Sequence, residues 1–183
     1  MVTINDMFDS LKEYIEKNIA NKLELQIELT DTTDIELSKR VQPYVECVHL
    51  PHKNFTPKGY QVPYILIGLD TGNKKATDGT TLNIILNLAT YGGDVYKDEF
   101  ENETNIPDAT GYKDLLNEID LITNELINNP IINGMGVVDP DIDFGVYDTE
   151  FAWCYWFGYV SFSIRMIGAD YTENRKEAIE YEL

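Results

Sequence analysis

The most restrictive feature of this chain is an alternation with a period of two. Leu82, Ile84, Leu86 and Leu88 fall on one side of a segment whose other side carries Asn83, Ile85, Asn87 and Ala89. Val160, Phe162, Ile164 and Met166 alternate in the same way with Tyr159, Ser161, Ser163 and Arg165. Successive side chains of a strand point to opposite faces, so such segments fit extended backbone with one buried side and do not fit a helix. Leu23, Leu25, Ile27 and Leu29, set against Lys22, Glu24, Gln26 and Glu28, predict an earlier strand of the same kind.

Helical spacing occurs in two places. Thr3, with Asp6 three residues later, makes a variant capping box beside Ile4, Met7, Phe8, Leu11, Ile15 and Ile19, which predicts a helix ending near Asn21. Tyr112, Leu115, Leu116, Ile119, Ile122 and Leu126 predict the apolar side of a second helix of about 18 residues, stopped by Asn128, Asn129 and Pro130. Val41–Leu50 and Tyr60–Leu69 read as further strands, separated by a loop from Pro51 to Gly59. Asp70, Thr71, Gly72 and Asn73 read as a turn that continues through the polar Lys74–Gly79. Asp94–Asp108 is acidic and poor in aliphatic residues, which predicts an exposed loop or arm at about 94–109. Val137–Glu150 reads as turn-rich and acidic, and 172–183 as a short charged helix. Strands that come in runs, without helices interleaved one for one, predict an α+β fold. The expected architecture is a mainly antiparallel sheet with two principal helices packed on one face, in a single domain spanning 1–183.

Charge narrows the function. The chain has 32 acidic and 14 basic residues, a formal charge of -18, while 43% hydrophobic content argues against disorder. A surface of this sign repels phosphate, so specific nucleic-acid binding is not expected. It does suit the wall of a channel through which nucleic acid slides without sticking. The N-terminus shows no basic start followed by an apolar run, and no stretch is apolar for long enough to span a bilayer, so no export or membrane segment is expected. Cys47 and Cys154 lie in apolar, strand-like surroundings and read as buried free thiols.

Four constellations carry possible chemistry. Asp70-Thr71-Gly72, after the apolar Ile65–Leu69, has the local form of an aspartic-protease half-site, in which two loops share one proton between carboxylates. With no second copy in the chain, activity would need a homodimer, and the trigram is also ordinary turn chemistry. Asp139, Asp141, Asp143 and Glu150 match ligand positions of a calcium loop, but Phe144 stands where the sharp turn needs glycine. An acidic solvated loop is the plainer reading. Cys47, His49 and His52 are zinc-type donors without a fourth, and a packed thiol beside a hydrogen-bonded histidine explains the first two. The aromatic run Phe151–Tyr159 supplies anchors of the kind found at protein interfaces, yet half of any such strand would face the core. Trp153 and Tyr155 share one face of it and Trp156 belongs to the other. No nucleophile elbow or phosphate-binding loop occurs in the sequence, and no cofactor or catalytic residue is expected.

The order of parts then becomes informative. An amphipathic N-terminal helix is followed by strands, by Ala89-Thr90-Tyr91 closing one of them, and by an acidic insertion. Gly111-Tyr112-Lys113-Asp114-Leu115-Leu116 opens the second helix, and Tyr155-Trp156-Phe157-Gly158 precedes the last strand. This layout resembles the tail terminator and tail-completion proteins of tailed bacteriophages and phage-tail-like bacteriocins. The resemblance implies a structural protein without catalytic residues, assembled in the host cytoplasm into a virion or tail-like particle. It implies a homo-oligomeric ring, expected to be a hexamer, that caps the tail tube protein, stops tube growth and joins the neck, connector or sheath protein. DNA would pass through the ring in a virion. Sheet edges or the 94–108 arm would bridge neighbouring subunits, with Phe100, Tyr112, Tyr155 and Trp156 as the candidate interface residues.

Other head–tail connector, sheath-associated or baseplate subunits fit the same acidic scaffold, as does an acidic module that mimics DNA. The homodimeric aspartic protease is the alternative from a different class. It expects acid-optimum peptide cleavage by the purified chain that disappears in Asp70→Asn, and an unchanged rate in that variant eliminates it.

Overall fold

The computed structural model describes residues 2–27, 40–49, 62–75, 79–97, 103–107, 109–147 and 154–167. In chain order these form helix α1 (Ile4–Asn18), a turn of 3-10 helix (Ala20–Lys22), strands β1 (Leu25–Gln26), β2 (Arg40–Val41), β3 (Tyr44–Cys47), β4 (Tyr64–Lys75), β5 (Gly79–Tyr91), β6 (Gly93–Lys97) and β7 (Glu103–Pro107), helix α2 (Ala109–Asn128), and strands β8 (Ile131–Ile132), β9 (Gly136–Val146) and β10 (Tyr155–Met166). The expected C-terminal helix at 172–183 lies outside the described residues.

The two alternating segments lie side by side at the centre. β5 and β10 pair antiparallel from Tyr155↔Tyr91 to Arg165↔Thr81, which sets Leu82, Ile84, Leu86 and Leu88 beside Ile164, Phe162, Val160 and Gly158. Around them the six-stranded sheet runs β3-β4-β5-β10-β9-β8. Only β3 against β4 is parallel among these pairs; the other four are antiparallel. The expected α+β class, with a mainly antiparallel sheet and two helices, is what the chain forms.

Both helices pack on one face of this sheet. α1 starts at the predicted cap: the Asp6 amide donates to Thr3 Oγ1 at 3.1 Å while the Thr3 amide donates to Asp6 Oδ2 at 2.7 Å. Those bonds hold the Asp6 carboxyl below its usual range. Its apolar stripe, Met7, Leu11, Ile15 and Ile19, is fully buried, in one core with Ile65, Ile67, Leu82, Ile84, Leu86, Val160 and Ile164. Lys12 Nζ bonds Glu46 Oε1 of β3 at 2.9 Å, and the Tyr14 hydroxyl donates to the Asn129 carbonyl at 2.8 Å, tying α1 to both ends of the sheet layer.

Four sequence expectations change. The early strand expected over Leu23–Leu29 is, among the described residues, the two-residue β1 paired to β2, and Gln26 is buried instead of facing water. Its Nε2 donates to the Gly93 carbonyl at 3.0 Å, which meets the cost of placing an amide inside. Val41–Leu50 divides into β2 and β3, the latter ending where Val48 adopts φ 67 and the His49 amide donates to the Cys47 carbonyl. The expected turn at Asp70–Asn73 is strand: β4 continues to Lys75, absorbing Asp70 as a bulge between Leu69↔Ile84 and Thr71↔Asn83. Val137–Glu150 is not a turn region as far as Val146, because β9 pairs with β10 along it. Period-two alternation in Ile142-Asp143-Phe144-Gly145-Val146 was the signal, masked by the neighbouring aspartates and Pro140.

The arm expected at 94–108 is also more ordered than a loop. β6 and β7 pair antiparallel from Gly93↔Pro107 to Lys97↔Glu103, as a two-stranded ladder separate from the main sheet.

α2 is rotated from its predicted setting. Leu115, Ile119, Ile122 and Leu126 face the core as expected, but Tyr112 and Leu116 are exposed, and Gly111, Asp114, Glu118 and Thr123 are buried in their place. Gly111 explains the setting. A Cβ there would lie 2.6 Å from the Gly92 amide nitrogen and 2.6 Å from Trp156 Cδ1, so only glycine lets the first turn approach this closely. Its carbonyl accepts from Thr90 Oγ1 at 2.7 Å.

This rotation is directly testable. Leu115→Ala should destabilise the fold by about 2–5 kcal/mol, as for a fully buried leucine. Leu116→Ala, one residue away, should change stability by no more than about 0.5 kcal/mol. Equal losses in urea unfolding would contradict the orientation of α2.

Candidate functional site

Every second residue of a strand points away from the core, and among the described residues no helix packs on that second set. On the face away from α1 and α2 the sheet carries Tyr64, Leu66, Ile85, Asn87, Tyr155, Phe157, Tyr159 and Ser161, which are half-buried, together with Tyr44, Ala89 and Tyr91, which are buried. It is divided by chemistry.

One end is aromatic. Tyr91 and Tyr155 meet edge to face with centroids 5.5 Å apart, Tyr155 and Phe157 stack at 6.4 Å, and Tyr147 lies 5.4 Å from Tyr159. The Tyr147 hydroxyl donates to Asn87 Oδ1 at 3.0 Å. Partial burial, and the proximity of Tyr147, raise the Tyr64 phenol above its ordinary value; burial and Tyr159 do the same for Tyr147. Both stay protonated at neutral pH.

The other end is polar. Asn83 Nδ2 donates to Thr71 Oγ1 at 2.6 Å and Ser163 Oγ donates to Asn83 Oδ1 at 2.7 Å. Thr71, Asn73, Lys75, Thr81 and Asn83 line an open hollow of about 530 Å³.

The candidate interface residues separate across this arrangement. Tyr155, half-buried, belongs to the aromatic end beside Tyr91. Trp156, its chain neighbour, points to the helix side, where Tyr112 of α2 meets its ring edge-on at 5.2 Å. Phe100 lies outside the described residues, as does Trp153. The motif-type candidates do not gather into a centre. Asp70 sits exposed in the β4 bulge, and Asp139, Asp141 and Asp143 run along a strand, with Glu150 outside the described residues. Cys47 is half-buried, with Sγ 3.9 Å from the Phe8 carbonyl, and burial raises its thiol pKa. His49 is exposed beyond the strand end, and His52 lies outside the described residues. Among the described residues no three His, Cys, Asp or Glu side chains cluster as metal ligands would, and no helix is long and apolar enough to cross a membrane.

What sequence reading missed is the polar side of α2. Arg40 Nη2 of β2 donates to both carboxylate oxygens of Asp114 at 2.9 Å, pinning the small β1–β2 ladder to the helix. One turn on, Glu118 is completely buried, and among the described residues neither carboxyl oxygen has a hydrogen-bond partner. Burial first, and the nearby Asp114 carboxylate second, push its pKa well above the ordinary glutamate value. No sequence signal marks Glu118 as different from the exposed Glu and Asp residues around it; only the rotation of the helix buries it.

No protein-family model matches the chain, and no curated protein matches it.

The proton on Glu118 couples stability to pH. The folded chain holds it more tightly than the unfolded chain, so its stabilising effect is complete below the ordinary glutamate pKa and is lost as pH rises towards the folded value. Glu118→Gln mimics the protonated form. It should match the wild type near about pH 4 and exceed it increasingly towards neutral pH, in urea titrations across that range. A difference that does not vary with pH would refute the assignment.

Proposed function

We propose that this chain is a structural component of a phage tail or phage-tail-like particle, most simply the ring-forming terminator that caps the tail tube and offers its other side to the neck or sheath. The observation that carries the reading is the aromatic face: a sheet with one side packed by two helices presents on the other the half-buried Tyr64, Leu66, Tyr155, Phe157 and Tyr159, side chains suited to contact with other protein. The β6–β7 arm adds a second point of attachment, since it leaves the main sheet as a ladder of its own. The charge of -18 suits a ring whose opening lets DNA pass without holding it. A closed ring, expected to be a hexamer, supplies one surface matched to the tube and another that accepts no further tube subunits. Its work is geometric, with no bond made or broken.

Two measurements check this. Particles assembled without the chain should carry over-long or ragged tubes in electron micrographs; normal tubes with missing necks or baseplates would assign it to another position instead. Replacing 94–108 by a short flexible linker should preserve the unfolding transition yet weaken ring formation or tail attachment. Unchanged assembly would remove the arm from the mechanism.

A further inference from the structure

Two polar groups are shut away under the first half of α2 with no hydrogen-bond partner among the described residues: the carboxyl of the fully buried Glu118 and the indole nitrogen of Trp156. Named contacts hold this half of the helix down over them. Arg40 Nη2 donates to both Asp114 oxygens at 2.9 Å, Thr90 Oγ1 donates to the Gly111 carbonyl at 2.7 Å, and Tyr112 meets the Trp156 ring at 5.2 Å. A Cβ on Gly111 would lie 2.6 Å from Trp156 Cδ1, the atom bonded to the indole nitrogen, so the first turn sits directly beside that unpartnered N–H. We propose that this half of α2 is a proton-operated latch: a protonated Glu118 leaves it seated on Gly92 and Trp156, and ionisation of Glu118 lifts it together with the base of the β6–β7 arm. The latch concerns how the arm is positioned, and it stands or falls independently of the terminator role.

The charges around Glu118 set the direction. α2 itself brings Asp114, one turn earlier. β2 brings Arg40, already committed to Asp114 and, through Nε, to the Glu24 carbonyl at 2.8 Å. Along their paired lengths β5 and β10 turn no charged side chain towards α2. Of the β9 aspartates, Asp139 pairs with Arg165, Asp141 is exposed, and Asp143 stands on the opposite face beside Ser161. Tyr14 and Lys22 reach α2 at Glu125, about two turns further on. An ionised Glu118 in the seated helix would therefore have a second carboxylate beside it and no cation of its own. Burial, and then Asp114, raise its pKa well above the ordinary glutamate value. Lifting the first turns returns the carboxylate to water and hydrates the indole N–H in the same movement.

The arm is tied to this movement at both ends. β6 starts at Gly93, next to the glycine that Gly111 abuts, and β7 ends at Pro107, two residues before α2 begins. The β1–β2 ladder spans the same place, with the Gln26 amide on the Gly93 carbonyl and Arg40 on Asp114. A latch here sets whether the arm leaves the body at one fixed angle.

Amide exchange of the full chain, resolved by residue, tests it. The closed helix holds the Glu118 proton more tightly than the open one, so opening becomes easier as pH rises from the ordinary glutamate pKa to the raised one. Over that window the opening constant should rise about tenfold per pH unit. The amides to follow are 113–118 and that of Gly92, which donates to the Cys154 carbonyl at 2.9 Å. Their opening should be nearly independent of low urea concentrations, whereas amides at the centre of β5 and β10 exchange through global unfolding and respond to urea steeply. Glu118→Gln should remove the pH slope. Arg40→Gln, which loosens the clamp without removing the titrating group, should raise opening at every pH and keep the slope. A separate reading comes from Trp153→Phe, which leaves Trp156 as the sole tryptophan: its quenching by acrylamide should grow over the same pH range. A flat opening constant, a slope that survives Glu118→Gln or disappears with Arg40→Gln, a urea response equal to that of β5, or quenching of Trp156 that ignores pH would each overturn the latch.

Discussion

Everything in this fold follows from the burial of one side of two strands. β5 and β10 put Leu82, Ile84, Leu86, Val160 and Ile164 into one apolar surface, each fully buried. Burying side chains of that size contributes about 1.5–3 kcal/mol apiece relative to leaving them exposed. Among the described residues α1 and α2 both pack on that face. The opposite face is half-buried and rich in tyrosine.

The same constraint shapes the edges and the polar interior. To cover β5 and β10, α2 brings its first turn against Gly92, an approach that Gly111 permits. Fixed there, the helix turns Asp114 and Glu118 inward and leaves Tyr112 and Leu116 outside. Arg40 answers Asp114; among the described residues nothing hydrogen-bonds Glu118, and burial favours its protonated form. A buried carboxyl retained under these terms trades stability at neutral pH for the helix position that the close approach demands. The outward Leu116 and Tyr112 and the half-buried aromatic end of the second face are the surfaces on which the proposed assembly rests.

Legibility in the sequence varied with the kind of signal. β5, β10, α1 and the ends of α2 could be read because each rests on a local rule: period two, period 3.6, a capping box, a proline stop. β9 and the outer half of β4 were misread because their composition, aspartate, glycine and proline, is that of turns, while their pairing is with strands distant in the chain. Of the candidate interface residues, Tyr155 falls on the open face, whereas Trp156 and Tyr112 turn out to pack on each other at the start of α2. Parity along the strand separated Tyr155 from Trp156 in advance, but which parity faced the helices depended on the register with β5.

By itself the sequence determined the fold class, the existence of one strongly apolar sheet face and the sign of the surface charge, since these depend on composition and spacing along a single segment. Tertiary structure decided which side of α2 is inside, that Glu118 is buried, that Asp70 lies in a strand bulge, and that β9 pairs with β10. Those facts depend on register and on the closest approach of two backbones, which are properties of pairs of segments and are encoded in neither segment alone.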